Sequence, residues 1–233
     1  MSTSGGPNIV EDGLVLALDA TNKKSYPGSG TVWQDLSGLG NDFTIYNGAT
    51  TVNGNMVFDG INDYAESSVN FINDGIIGVG NIGYTIEAVV RVESTPGSTT
   101  SGYSIIGHPA STGIGLQLMN YSGGIKVNFG YRSNSNFYSN SNIPLNTWVH
   151  IVATKIAAGR SYIYINGELD ATFTTTTFMD IDATSTRMQI GYAAGRITGR
   201  YKGQTGLVKL YNKSLNQSEI LQNYNATKGR FGL

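Results

Sequence analysis

Residues 162–170 read Tyr-Ile-Tyr-Ile-Asn-Gly-Glu-Leu-Asp. Asn166 and Gly167 both accept positive φ, as the two central positions of a type I′ turn require, and β-forming side chains lead up to them. The stretch therefore predicts a tight hairpin, and a tight hairpin joins antiparallel strands. Working outward, apolar or alternating runs of strand length recur at 14–18, 56–58, 84–92, 103–106, 114–119, 125–131, 148–156, 188–192 and 206–211. Clusters of Gly, Asn, Ser and Pro separate them, which is the punctuation of an all-β antiparallel fold.

The chain has 233 residues, 39% of them hydrophobic and none of them cysteine. A single β-sandwich of that length can bury roughly 70% of the surface of its unfolded chain, so packing suffices without disulfides. Charged residues make up 13% and the net charge is −1, against about a quarter charged in an average domain. Without clustered Lys and Arg, nucleic acid is excluded as a partner. The polar surface must come from Asn, Ser, Thr and Gly, whose neutral donors and acceptors suit a glycan or a neighbouring protein. The segment MSTSGGPN has neither a basic region nor an apolar run, so no signal peptide is expected. LVLAL at Leu14 is too short to cross a bilayer, so no membrane insertion is expected. Residues 1–12 read as an N-terminal arm and residues 13–233 as one domain.

One helix is predicted near the end. Asn216 followed three residues later by Glu219 forms a capping-box pattern, Ile220, Leu221 and Tyr224 form an apolar face, and Gly229 offers a stop. Such a helix would lie as a lid on the sandwich.

WQDLSGLGND from Trp33, FDGINDY from Phe58, NTWVHIVAT from Asn146, IYINGEL from Ile163 and LVKLYNKSLNQSEILQNYNATKGRF from Leu207 follow one another in fixed order. Together they resemble the laminin-G-like branch of the concanavalin A-like lectin/glucanase superfamily, and more narrowly the copies found in bacteriophage virion proteins. The resemblance runs from Gly13 to Phe231. It implies a two-sheet jelly-roll sandwich with one short C-terminal helix, a scaffold used for binding and assembly more than for catalysis.

Catalytic motifs fail on their context. Residues 78–83 spell GxGxxG, but Tyr84 to Val90 continue as a strand where a dinucleotide site needs a helix. Glu168 and Asp170 begin the ExDxxE pattern of glucanases on this fold, yet Phe173 stands where the acid belongs. Retaining hydrolysis needs two carboxyl groups about 5–5.5 Å apart, so no enzyme is expected. His150 alternates with Trp148 and Val152 on an apolar strand and reads as a packed, hydrogen-bonded core residue. His108 has no partner in a motif.

Two candidate sites remain. Asp35, Asn41, Asp59 and Asp63 lie in Gly-rich turns, and laminin-G-like domains often hold one calcium, so the resemblance implies calcium there. The competing reading is that these side chains tie turns by accepting backbone N–H groups. Tyr121, Tyr131, Arg132, Asn136, Phe137 and Tyr138 lie among Ser, Gly and Asn, with 131–142 read as a long hairpin loop. Aromatic rings beside amides suit a sugar's apolar face and its hydroxyls, and the competing reading is that these rings end strands packed inward or meet a neighbouring subunit. The expectation is a non-enzymatic phage virion surface protein, decorating the capsid or serving as a tail-fibre accessory. It would be made in the host cytoplasm and present in several copies, with other virion proteins and a host surface glycan as partners. The alternative is a glycan-active hydrolase on the same fold.

Overall fold

A computed structural model describes residues 8–78, 82–97, 102–109, 114–130, 137–157, 159–174, 186–192 and 199–233. In chain order the strands are β1 (Leu14–Asp19), β2 (Val32–Trp33), β3 (Phe43–Tyr46), β4 (Thr50–Val52), β5 (Asn55–Asp59), β6 (Tyr64–Ser67), β7 (Tyr84–Val92) and β8 (Tyr103–Gly107). They continue as β9 (Gly115–Tyr121), β10 (Gly124–Phe129), β11 (Phe137–Tyr138), β12 (Trp148–Ile156), β13 (Arg160–Ile165), β14 (Glu168–Phe173), β15 (Gln189–Ile190) and β16 (Lys202–Tyr211), and helix α1 (Gln217–Phe231) follows. The first sheet runs β14-β13-β12-β7-β16-β5-β4 with β1 also on β16, and the second runs β11-β10-β9-β8-β15-β6-β3-β2. The fold is the all-β two-sheet sandwich with a C-terminal helix that the sequence predicts.

Period-two alternation builds the core. Ile86, Ala88 and Val90 of β7 and Val149, Ile151 and Ala153 of β12 face Leu116, Leu118, Val127 and Phe129 of the second sheet in one buried cluster. Each Val, Leu, Ile or Phe among them contributes about 1.5–3 kcal/mol by leaving water. The hairpin at Asn166 and Gly167 has φ of 52° and 81°, as a type I′ turn requires. Gly167 answers a second demand as well, because a Cβ there would lie 2.8 Å from Tyr224 Cδ1 of the overlying helix.

β7 and β12 are buried on both faces because α1 covers much of the side turned away from the core. Asn216 caps the helix, accepting from the Glu219 N–H at 3.1 Å while Glu219 accepts from the Asn216 N–H at 2.8 Å. Two expectations need correction here. The helix continues through Gly229 and ends at Gly232, whose left-handed φ of 69° turns the chain and lets its N–H bond Lys228 O. Its buried residues are Ile220, Asn223, Thr227 and Phe231, while Leu221 is 42% exposed, because the 3–4 spacing from Ile220 passes it by. Phe231 packs on Trp148 with ring centroids 5.0 Å apart.

Beneath the helix lies a polar cluster. Glu87 Oε1 accepts from Lys209 Nζ at 2.8 Å and meets His150 Nε2 at 3.1 Å, while Oε2 accepts from Asn223 Nδ2 at 2.6 Å. His150 is thus the packed, hydrogen-bonded residue expected. Asn223 Oδ1 also accepts from Val10 N at 2.8 Å, and Tyr211 Oη donates to Val10 O at 3.1 Å. The residues before β1 are thereby bound to the helix face.

The stretch read as one loop from 131 to 142 contains strand β11, and its last residues are tied down. Asp170 accepts from the N–H groups of Asn140 and Ser141 at 2.6 and 3.0 Å.

Candidate functional site

The outer face of the second sheet follows from alternation. Leu116 and Leu118 enter the core, so Gln117, Met119 and Tyr121 point away from it; Val127 and Phe129 do likewise for Lys126 and Asn128. Strand register then assembles side chains that are far apart in sequence. Ser104 pairs with Gln117, Gln117 with Asn128, and Asn128 with Tyr138, making one row across four strands. A second row runs from Glu66 to Gln189, Gly107 and Gly115. A register shift between Ser104 and Ile106 sends both Ile105 and Ile106 into the core and leaves Gly107 beside Gly115. A Cβ on Gly107 would lie 3.1 Å from Gly115 Cα, so the two rows meet over a strip of bare backbone.

Among the described residues, this face holds polar atoms with nothing to bond. Ser104 Oγ, Gln117 Oε1 and Gln189 Oε1, on three neighbouring strands, are buried without a hydrogen-bond partner among the described residues. Each such group costs about 1–3 kcal/mol. A fold carries that cost where a bound hydroxyl or an ordered water supplies the missing bond. Gln189 spends its other amide atom on Glu66, donating from Nε2 to Oε2 at 2.7 Å.

A tyrosine stack stands at either end of the face. Tyr121, 43% exposed, lies on Tyr138 with centroids 3.9 Å apart and planes 13° from parallel. Tyr138 is itself buried, and its hydroxyl donates to Met119 Sδ at 3.7 Å. Tyr46, 39% exposed, stacks on its register partner Tyr64 at 4.8 Å and 13°. Burial raises the pKa of Tyr64, the Glu66 and Tyr46 side chains add to the rise, and the nearby Arg200 charge opposes it.

Of the residues predicted to contact a glycan, Tyr121 and Tyr138 come together, while Phe137 does not join them. It is one residue from Tyr138 on the same strand, so it faces inward, buried in the core with its ring 4.6 Å from Phe173. Tyr131, Arg132 and Asn136 lie outside the described residues. Sequence reading missed Ser104, Gln117, Asn128, Gln189, Glu66, Tyr46 and Tyr64. The one linear signal was Gln117 interrupting Ile-Gly-Leu-Gln-Leu-Met.

The acidic turns are bonded within themselves. Asp35 Oδ1 accepts from Ala17 N and Ser37 N at 2.8 and 2.9 Å, and Oδ2 from Ser37 Oγ and Asn41 N at 2.5 and 3.1 Å. Those four donors fill the carboxylate's lone-pair sites, and a cation would have to displace them. Asn41 Nδ2 donates to Val15 O at 2.7 Å. Asp59 Oδ1 accepts from Ile61 N and Asn62 N, while Asp63 Oδ2 accepts from Asp59 N. Among the described residues no three His, Cys, Asp or Glu side chains gather to hold a metal. The contacts are those of turn ties.

Glu66 is the single acidic residue on the described strands of this sheet. His108 is buried, its ring nitrogens without a hydrogen-bond partner among the described residues, and burial pushes its pKa down to about 4, offset only in part by the neighbouring Ile114 backbone.

The family described as the concanavalin A-like lectin/glucanases superfamily matches residues 58–221. No curated protein matches the chain in sequence. Solved structures share its fold. A Trypanosoma rangeli sialidase in complex with 2,3-difluorosialic acid is similar with a TM-score of 0.66 at 20% identity, over 92% of this chain and 33% of that one. Domain 4 of a GH43 extracellular arabinanase from Geobacillus stearothermophilus, in complex with arabinotriose, aligns with a TM-score of 0.65 at 17% identity, over 91% of this chain and 98% of that one. A botulinum neurotoxin type C whose cell entry depends on two ganglioside molecules aligns with a TM-score of 0.67 at 15% identity, over 93% and 52%. The chain thus spans about a third of the sialidase's length.

Proposed function

The chain belongs to the concanavalin A-like lectin/glucanases superfamily, and from that premise we propose that it is a non-catalytic glycan-binding protein whose binding face is the outer side of the second sheet. The observation that carries this reading is the set of buried, unpartnered oxygens on Ser104, Gln117 and Gln189, side by side on one face. A glycan is rich in hydroxyls that can donate to such oxygens directly or through water, and its rings stack on exposed aromatics such as Tyr121 and Tyr46. The arabinanase domain in complex with arabinotriose lends the reading support, because this chain matches that domain over nearly its whole length.

Cleavage is not part of the proposal. With Glu66 as the sole acid on the described strands of this sheet, the described strands supply no second carboxyl to pair with it, as retaining hydrolysis requires. The setting on a bacteriophage particle rests on the order of the sequence motifs. There the domain would hold the particle to a host surface glycan or to neighbouring virion proteins.

The test is titration of the protein with host polysaccharides while free reducing ends are assayed. Binding without release is expected, weakened by Gln117→Leu. Release of oligosaccharides, or no binding to any glycan, overturns the reading. Mass spectrometry of purified particles tests the setting, and absence of the chain from them removes it.

A further inference from the structure

Arg200 is placed as a built recognition group on the same face. It lies between Gly199, which bridges to Tyr103 on β8, and Tyr201, whose fully buried hydroxyl donates to Arg91 O at 3.1 Å and Gln204 O at 2.8 Å. Tyr201 N also bonds Gly191 O at 3.0 Å, joining this segment to the end of β15. With Tyr201 locked inward, the side chain before it is turned outward. The guanidinium carbon then sits 3.3 Å from the centroid of the Tyr192 ring. Stacking immobilises the planar group and leaves its N–H edges free, and those edges make no hydrogen bond or ion pair with the described residues.

The surroundings define what such a group meets. The Tyr46 and Tyr64 stack is close by, since the Arg200 charge acts on the Tyr64 phenol. The neighbouring acid, Glu66, already accepts from Gln189 Nε2 at 2.7 Å. Lys126, the only Lys or Arg on the described strands of this sheet, donates to Asn140 O at 2.5 Å. A free, preoriented guanidinium fork beside an aromatic platform matches a planar carboxylate borne on a sugar ring.

We propose that the glycan recognised by this face carries a carboxylate, as a uronic or nonulosonic acid does, and that Arg200 binds it bidentately. The inference rests on the glycan-binding reading and narrows it. Because the whole chain has a net charge of −1, the discrimination has to come from local contact rather than long-range attraction.

The test uses the intact protein on an array of neutral and carboxylated glycans, followed by titration with oligogalacturonate and with its methyl ester. Signal is expected on carboxylated members, with the acid bound about tenfold or more tightly than the ester, as a charge-assisted bond allows. Arg200→Gln should abolish that preference with an unchanged melting temperature, Arg200→Lys should retain part of it, and Tyr192→Leu should weaken it. Binding to neutral members alone, or a preference that survives Arg200→Gln, overturns the inference and leaves the glycan reading standing. Failure to bind any member overturns both.

Discussion

Glu87 on β7 and Lys209 on β16 are direct register partners that form an ion pair of 2.8 Å almost wholly out of water. Burial by itself would raise the Glu87 pKa. The Lys209 charge and then the His150 bond outweigh it and bring the carboxyl down to about 2. The pair lies under α1, so it governs whether the helix has a polar surface to dock on.

Breaking one side of the pair should be costly. Lys209→Met leaves a buried carboxylate without its cation, and a loss of about 3–5 kcal/mol is expected by urea denaturation. The double change Glu87→Leu with Lys209→Leu should cost less than the single one. A single-variant loss below about 1 kcal/mol would show that the pair does not hold the sheet and helix together.

Acid should unfold the protein in two windows. The folded pKa of His108 is depressed to about 4 from an ordinary 6.5. The unfolded state therefore binds the proton first, and stability present above pH 6.5 drains as pH falls toward 4, by roughly 3 kcal/mol. Glu87 is likewise depressed, from 4.5 to about 2, so its contribution is lost as pH falls through that lower range. His108→Leu should flatten the upper window only. A melting temperature whose pH dependence from 6.5 to 4 is the same in the variant would count against this assignment.

Asn223 joins α1, β7 and the residues before β1 through Glu87, Tyr211 and Val10. Asn223→Ala should cost about 2–4 kcal/mol, since several buried groups lose partners at once. Hydrogen exchange at the Val10 amide should accelerate beyond what the global loss explains, and unchanged protection there would refute the link.

Gln117→Leu should separate folding from binding. The variant removes an oxygen that has no partner, so stability is expected to hold or rise by up to about 1 kcal/mol. Glycan affinity should fall about tenfold at the same time. A joint loss of stability and affinity would show that Gln117 is a structural residue.

The Asp35 carboxylate should behave as a turn tie. Asp35→Ala frees four donors and is expected to cost about 2–3 kcal/mol. A chelator should leave the melting temperature of the unaltered protein in place. A fall on chelation, restored by added calcium, would revive the metal reading.

What the sequence made legible depended on how far a pattern extends along the chain. β7 and β12, nine residues each, stood out because two covers, core and helix, bury both faces and keep their sequences rich in β-branched and apolar residues. The Asn166-Gly167 turn and the Asn216 cap were readable because their chemistry lies within four residues. β2, β11 and β15 have two residues each, too few for any periodicity. The helix face was misjudged at Leu221 because the surface beneath it presents Glu87, which makes Asn223 the better fit. The row of Ser104, Gln117, Asn128 and Tyr138 exists only through register, and the shift between Ser104 and Ile106 that sets it leaves no mark on the sequence.

The docking of both α1 and the residues around Val10 on the outer side of the first sheet gives the molecule a back and a front. Anything tethered at Leu233, whose side chain rests among Phe231, Val89 and Leu207, departs from the back. An array of copies anchored by that end would turn Tyr121 and Tyr46 toward the medium, and the spacing of the anchors would then set how many faces a single polymer could touch at once.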